Sequence, residues 1–423
     1  MKYKGMGYLR RKLASRKERC ETRYDYYEMK NQMVDISSVI PPEFRWLKEC
    51  LGWCSKAVDS IADRISFVEF SNDNFNMQKI YDMNNPDVLF DSAIISSLIT
   101  SCSFIYISQK VGEMPRLQVI DGRHATGIID PITNMLVEGY AILEEDVLGN
   151  PIIEAYFIQG VTYFYERGEK PYKIKNKAPY PLLVPIINRP DAKRPFGHSV
   201  ISRACISIQQ AAMRTLKRSE VSAEFYSFPQ KYVLGLEPGA EMDKWKATIS
   251  SLMQISKDED GDKPTVGQFA QQSMAPYVEQ LKMLASLFAC ETGLTLDDLG
   301  FSTENPSSVE AIKAQHENLR LKAKKAQKTF ATGFINAGFL AACLRDGYTY
   351  SRDQIYLTKI KWAPIFEPDA SALSVIGDGA IKINQAVPGY FDKDNLKELT
   401  GIDYSTSSST SNIDDMFKEE IDE

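Results

Sequence analysis

The period of the apolar positions changes several times along the chain, and each change marks an element. Residues 8–29 form a basic stretch that ends in Tyr24, Tyr26 and Tyr27 and reads as a helix. Over residues 43–65, Leu47, Leu51, Cys54, Val58, Ile61 and Ile65 recur at helical spacing. A further helix covers 74–101, interrupted at Asn84-Asn85-Pro86, where turn chemistry starts a new element. From 103 to 175 the period falls to two. Segments 104–107, 116–120, 126–129, 136–143 and 152–165 are rich in β-branched and aromatic residues. Asp121-Gly122, Asp130-Pro131 and Gly149-Asn150-Pro151 separate them, which predicts an antiparallel meander with tight turns. Residues 169–195 read as a connecting loop with one short strand at 182–187.

A long helix follows. Ser199 is a candidate N-cap, and no Gly or Pro occurs from there to Tyr226, which allows roughly 42 Å of helix. Small residues (Ala204, Ser207, Ala211, Ala212) alternate with polar ones (Gln209, Gln210, Arg214, Lys217, Arg218). Such a helix is expected to pack against copies of itself or to line a wet surface. Residues 230–272 read as a small separate unit. It has strands at 231–236 and 265–269, a helix at 242–252, and a charged loop of Lys257, Asp258, Glu259, Asp260, Asp262 and Lys263. A second helix covers 274–292, with Pro276 tolerable in its first turn. A loop over 293–306 leads to Ser307 and Glu310, which fit a capping box. The helix opened there carries the stripe Ile312, His316, Leu319, Ala323, Ala326 and Phe330, and helix resumes up to Leu344. A strand at 354–362, a helix from Asp369 and another at 392–399 complete the pattern, which is α+β.

Composition excludes more than it selects. The 423 residues suffice for more than one core, and 43% are hydrophobic and 25% charged, ordinary values for a globular chain. No run approaches the roughly 20 apolar residues that span a bilayer, and no apolar core follows the basic N-terminus. No membrane association is expected, and the chain is expected to stay in the cytoplasm of the cell that makes it. Net charge is −6, but it is unevenly spread. Residues 1–24 carry nine Lys/Arg against two Glu, and residues 402–423 carry seven Asp/Glu against one Lys. Such ends are either solvated or meet complementary surfaces of other subunits.

Seven scattered cysteines form no CxxC pair, and His124, His198 and His316 lie far apart, so a zinc site is not expected. No phosphate-binding GxxxxGK[ST], no GxSxG and no HExxH occurs. Asp297-Asp298 lacks a second carboxylate cluster, and the acidic loop at 258–262 lacks calcium-loop spacing. Catalytic residues, metals and cofactors are therefore expected to be none. Lys313, Arg320, Lys322, Lys324, Lys325 and Lys328 surround the helix after 307 and are the best nucleic-acid candidates. Contacts from them would go to phosphates and ignore base sequence.

Three segments carry a resemblance. One is Pro195-Phe196-Gly197-His198-Ser199, opening the helix that ends in Ala223-Glu224-Phe225-Tyr226, with Pro229-Gln230-Lys231-Tyr232-Val233-Leu234-Gly235 after it. Another is Asn305-Pro306-Ser307-Ser308-Val309-Glu310-Ala311-Ile312-Lys313-Ala314. The third is Tyr356-Leu357-Thr358-Lys359-Ile360-Lys361-Trp362, closed by Ala363-Pro364. With the order of elements, they resemble the portal proteins of tailed siphophages.

The resemblance implies a portal fold with a wing (1–195), a first stem helix (196–226) and a clip (227–272). A second stem helix (273–292), a tunnel loop (293–306) and a long helix with a returning wing strand (307–370) follow. A short helical crown with an acidic tail (371–423) ends it. It implies a homo-oligomeric ring, commonly a dodecamer, at the capsid portal vertex of the virion, assembled in the host cytoplasm. Double-stranded DNA would pass through it during viral genome packaging and DNA ejection, independent of sequence. Implied partners are the terminase large subunit, a head–tail adaptor and the major capsid protein. The implied DNA-channel candidates are Lys217, Arg218, Lys282, Asp297, Asp298, Ser302, Thr303 and Glu304. The clip partner-contact candidates are Lys257, Asp258, Glu259, Asp260, Asp262 and Lys263. The alternatives are a cytosolic α+β enzyme acting on a phosphate-containing substrate and another virion head-completion protein.

Overall fold

Leu9, Leu13 and Cys20 lie three to four residues or a multiple of turns apart, and all three are buried under one side of α1 (Met6–Tyr27). Leu9 and Leu13 pack on Tyr140 and Ile142. The computed structural model describes residues 3–34, 44, 46–110, 112–227, 231–234, 265–268, 273–301, 309–355, 357–366 and 370–400. Within it part of the basic arm is engaged by the subunit's own body, while Arg11 and Arg19 stay exposed. Arg10 pairs with Glu154, and Lys17 with Glu145 at 3.3 Å. Lys12 Nζ donates to the Gly127 carbonyl at 2.6 Å, and Arg23 donates to the Thr100 carbonyl at 3.3 Å. Two of the N-terminal cations are thus paired with carboxylates and two more are held by backbone carbonyls of the same chain.

The helix expected over 43–65 is shorter. α2 spans Trp53–Ala62, residues 47–52 are non-helical, and residues 35–43 and 45 lie outside the described residues. Glycine at 52 disfavours continuation by about 1 kcal/mol. Gln209 fixes the start of α2: its Nε2 donates to the Leu51 carbonyl at 2.6 Å and its Oε1 accepts from the Cys54 amide at 2.9 Å. A strand that the pattern did not mark, β1 (Phe67–Ser71), comes next. Then α3 (Met77–Asp82) and α4 (Pro86–Thr100) are separated at the expected break. There Asn85 has φ 50°, and Asn84 Nδ2 ties the carbonyls of Ile80 and Pro115 together at 2.7 and 2.9 Å.

The expected single meander is two sheets. β2 (Cys102–Ser108), β3 (Arg116–Ile120) and β9 (Leu183–Ile187) form one, with β2 central and both pairings antiparallel. β4 (Ala125–Ile129), β5 (Leu136–Glu145), β6 (Pro151–Ile158), β7 (Val161–Glu166) and β8 (Tyr172–Lys175) form an antiparallel five-stranded meander. Asp121-Gly122, read as a hairpin turn, instead carries the chain from one sheet to the other. A Cβ at Gly122 would lie 2.6 Å from the Cys102 carbonyl oxygen, so only glycine fits there. Asp121 and Glu145 flank His124, at 3.0 Å from Nδ1 and 3.1 Å from Nε2. Those hydrogen bonds, led by the one to Asp121, raise the His124 pKa above its ordinary value.

α5 (Arg203–Ser227) and α6 (Ala275–Thr292) bracket the antiparallel pair β10 (Lys231–Leu234) and β11 (Thr265–Gln268). The helix expected at 242–252 and the charged loop after it lie outside the described residues. α7 (Val309–Gln315) stops at His316, and α8 runs unbroken over Glu317–Arg345, joining what the pattern read as two helices. Leu319, Ala323, Ala326 and Phe330 are buried as expected, whereas Ile312 is exposed. Gly333 and Gly338 let α8 approach closely: a Cβ at Gly333 would meet Ile186 Cδ1 at 2.6 Å. Phe334 stacks on Phe90 with ring centroids 4.0 Å apart, and the Phe334 carbonyl accepts from the Tyr81 hydroxyl at 2.6 Å. This is the main core.

Among the described residues, those up to Ile360 form one compact unit and those from Lys361 another. The first closes where Thr358 Oγ1 donates to the Asn72 carbonyl at 2.9 Å and Ser71 Oγ donates to the Lys359 carbonyl at 3.3 Å. The strand expected from 354 begins only at Lys359, because Arg352–Ile355 forms a 3-10 turn. In the second unit α9 (Ala370–Ala386) and α10 (Lys393–Thr400) are joined through Asn384, whose amide exchanges two hydrogen bonds with the Phe391 backbone at 2.7 and 2.8 Å.

Candidate functional site

The α5–α6 pair, the turn after it and the start of α8 form the site that the sequence singled out. Its entrance is clamped. Gly197 has φ 71°, and a Cβ there would lie 2.0 Å from the Asn188 carbonyl oxygen. That carbonyl accepts from the His198 amide at 2.9 Å, and Asn188 Nδ2 donates to the His198 carbonyl at 2.8 Å. Ser199, expected to cap the helix, is used otherwise: its hydroxyl donates to the Ile99 carbonyl at 2.5 Å and accepts from the Ile201 amide at 2.9 Å. Ser202 caps α5, accepting from the Cys205 amide at 3.2 Å.

One side of α5 is buried despite its polarity. Gln209 holds Leu51 and Cys54, while Gln210 Nε2 donates to the Tyr26 hydroxyl at 2.5 Å and to the Gln32 carbonyl at 3.0 Å. These amides are fully used, which is how polar groups are accommodated away from water. The packing against copies of itself, or the wet surface, expected of this helix is left to the opposite side, where Arg203, Ala204, Ser207 and Arg218 are exposed.

α6 runs antiparallel to α5. Ser222 hydrogen-bonds Tyr277 at 2.8 Å near one end, and Ser202 donates to Glu291 at 2.9 Å near the other. Leu284, Ala285, Phe288 and Ala289 are buried, with Phe288 5.5 Å from the Trp53 ring centroid. Lys282, Met283, Leu287 and Cys290 are exposed. Gly293, at φ 81°, ends the helix. Lys322 of α8 then donates to the carbonyls of Glu291 and Thr292 at 3.1 and 2.6 Å. A cation there matches the negative end of the helix dipole. Burial, and then the neighbouring Arg189, push the Lys322 pKa below its ordinary value.

The following turn is a reciprocal Thr–Asp box. Asp298 Oδ2 accepts from the Thr295 amide and hydroxyl at 2.9 and 3.0 Å, and the Asp298 amide donates to Thr295 Oγ1 at 3.2 Å. His316 Nδ1 lies 3.6 Å from the same carboxylate oxygen. The Thr-x-x-Asp spacing at 295–298 was the available sequence signal for this fold-back.

The structure thus separates the channel candidates. Arg218, Lys282 and Asp297 are exposed. Lys217 is only 2% exposed and does not face solvent within the single chain. Asp298 is half-buried and committed to its own turn. Ser302, Thr303 and Glu304 lie outside the described residues, as do Ser307 and the clip candidates Lys257, Asp258, Glu259, Asp260, Asp262 and Lys263. Among the described residues no cluster of three or more His, Cys, Asp or Glu could hold a metal, and no helix is long and apolar enough to cross a membrane.

A family model described as phage portal protein, SPP1 Gp6-like, matches residues 7–371 of this chain. The chain belongs to the phage portal protein family. A portal protein is a structural part of the phage particle and not an enzyme, so the enzyme and head-completion alternatives are set aside. This portal chain is 24% identical over 398 residues to the portal protein of Mycobacterium phage D29, covering 89% of this chain and 81% of that protein. It is 23% identical over 380 residues to the portal protein of Mycobacterium phage L5, covering 85% and 77%. Among solved structures it is similar to a chain from the neck of a native gene transfer agent particle computed with C12 symmetry. The TM-score is 0.46 at 14% identity, over 84% of this chain and 90% of that one. A chain from the neck of the empty particle, computed with C6 symmetry, gives TM-score 0.46 at 13% identity, over 84% and 91%.

Proposed function

We propose that the chain is one subunit of a closed ring that conducts double-stranded DNA into the phage head during packaging and out of it during ejection. The observation that carries this reading is the α5–α6 pair: buried amides fasten one side to the subunit, while the other side of α5, and Asp297 in the turn after α6, are solvent-exposed. A repeating heterologous contact that closes on itself yields a ring. In this assignment the wing is 1–195, the stem helices 196–226 and 273–292, the clip 227–272, the tunnel loop 293–306 and the crown 371–423. Twelve copies would surround the channel.

Arg218, Lys282 and Asp297 are the described side chains best placed to meet passing DNA. Sparse charges of both signs suit a conduit, since DNA must slide and strong phosphate clamps would arrest it. Force would come from the terminase large subunit docked on the clip, which later binds the head–tail adaptor, while the wing meets the major capsid protein. Negative-stain images of the purified chain test the reading. Rings with a central hole are expected; monomers or dimers without rings at any concentration would overturn it.

A further inference from the structure

Where the start of α5, the end of α6 and α8 converge there is a cavity of about 250 Å³, with Arg189, Ser202, Glu291 and Lys322 among its walls. Arg189 precedes the clamped entrance of α5 and has φ 49°, a conformation that only a few residue types adopt readily. Its guanidinium has no hydrogen-bonded or ion-paired partner among the described residues. The Lys322 ammonium uses two of its three N–H groups on the Glu291 and Thr292 carbonyls, leaving one for the cavity. Two cations therefore face the same space, close enough for Arg189 to disfavour the charged form of Lys322. The carboxylate of Glu291, which accepts from Ser202, offsets one of the two charges and leaves the walls with one net positive charge among these three groups. His198 is engaged with Asp191 at 2.5 Å. The remaining repulsion between the two cations is relieved when an anion enters between them.

We propose that this cavity is an oxyanion site that takes a phosphate group, with Arg189 supplying a two-pronged contact and Lys322 a point charge. The volume admits one tetrahedral oxyanion. An anion held there would bridge the segment before α5 to α8 and to the end of α6, fixing the base of the α5–α6 pair against the body of the subunit. The chemistry is shared by free phosphate and by a phosphodiester of the DNA backbone. The site does not depend on ring formation, so it can fail while the ring reading stands.

Binding of inorganic phosphate, and separately of a short blunt duplex, is measured on the full chain by calorimetry at low ionic strength. Arg189→Asn is the main variant, because asparagine adopts the same backbone conformation and the side chain is exposed. Lys322→Gln is the second. Phosphate binding that weakens about tenfold or more in Arg189→Asn, the factor of one charge-assisted hydrogen bond, supports the site. If duplex binding weakens in parallel and its salt slope falls, the natural source is the DNA backbone. If only inorganic phosphate responds, the source is the free ion. Absence of saturable phosphate binding, or equal binding by wild type and Arg189→Asn with the fold unchanged by circular dichroism, overturns the proposal.

Discussion

The ammonium of Lys322 lies 2.6 Å from the carbonyl oxygen of Thr292 and 3.1 Å from that of Glu291, so a residue of α8 closes the last turn of α6. A Cβ at Gly293 would lie 3.1 Å from the same ammonium, so lysine and glycine share the end of one helix. Lys322→Met keeps the stem and removes the charge. It is expected to lower stability by about 1–2 kcal/mol, the range for a partly buried cation at a helix C-terminus. Urea denaturation monitored at 222 nm checks this, and hydrogen exchange should locate the loss at the end of α6.

Asp297 and Asp298 are adjacent but answer to different constraints. Asp298→Ala removes the acceptor of the Thr295 amide and should loosen the turn by about 1 kcal/mol, the usual worth of such a cap. Asp297→Ala should leave stability within about 0.5 kcal/mol, as for an ordinary surface change, and should alter DNA retention in packaged heads. Thermal melts together with a packaging assay separate the two. Equal effects on melting would contradict the assignment.

Gln209 has a task that no other described side chain shares: it satisfies the Leu51 carbonyl and the Cys54 amide at once. Gln209→Leu leaves both without their partner in a buried place. The expected loss is about 2–4 kcal/mol, the penalty for two buried unsatisfied backbone groups. Equilibrium unfolding measures it. A loss below 0.5 kcal/mol on the scale of surface substitutions would show that water reaches these groups.

His124 ties Asp121 to Glu145, and the cluster gives stability a pH dependence. Burial alone would raise the Asp121 pKa, but hydrogen bonds from His124 and Arg123 outweigh it and hold the carboxyl well below the ordinary 3.8. Its contribution is present above 3.8 and is lost as pH falls further. The His124 pKa is raised above 6.5, so its contribution is complete below 6.5 and is lost as pH rises through the folded value. Wild type minus His124→Gln should therefore differ most between these limits, by on the order of 1 kcal/mol for a pair still partly open to solvent. A pH series of denaturation midpoints tests the shape, and a flat difference would contradict it.

Strand and helix periods were legible wherever local spacing and packing agreed. In β3 the buried Leu117 sits between exposed Arg116 and Gln118, as a period of two demands, and the stripe from Leu319 to Phe330 faces one core. What the pattern could not carry came from distant partners. Gln209 sets the start of a helix 155 residues away, and Ser202 takes the capping role offered by Ser199 because Ile99 claims the Ser199 hydroxyl. The split of one meander into two sheets rests on Gly122 lying against the Cys102 carbonyl, a tertiary contact with no local signature. For the site, the helix pair was visible as two uninterrupted amphipathic runs. The direction of Lys217 was not, because a lysine in a polar helix reads as exposed until the neighbour that covers it is known.

The fastening of α1 also sets an order of events during synthesis. Its partners Glu138 and Glu154 lie 134 and 144 residues downstream of Lys4 and Arg10. At ordinary elongation rates of about 5–20 residues per second, the first helix leaves the ribosome roughly 7–30 s before the strand that receives it. Until then its arginines and lysines stand uncovered, beside apolar Leu9 and Leu13 that have nothing to rest on. A helix made before its receiving strand is seated only after that strand, so α1 stays cationic and half-apolar until the sheet covers it.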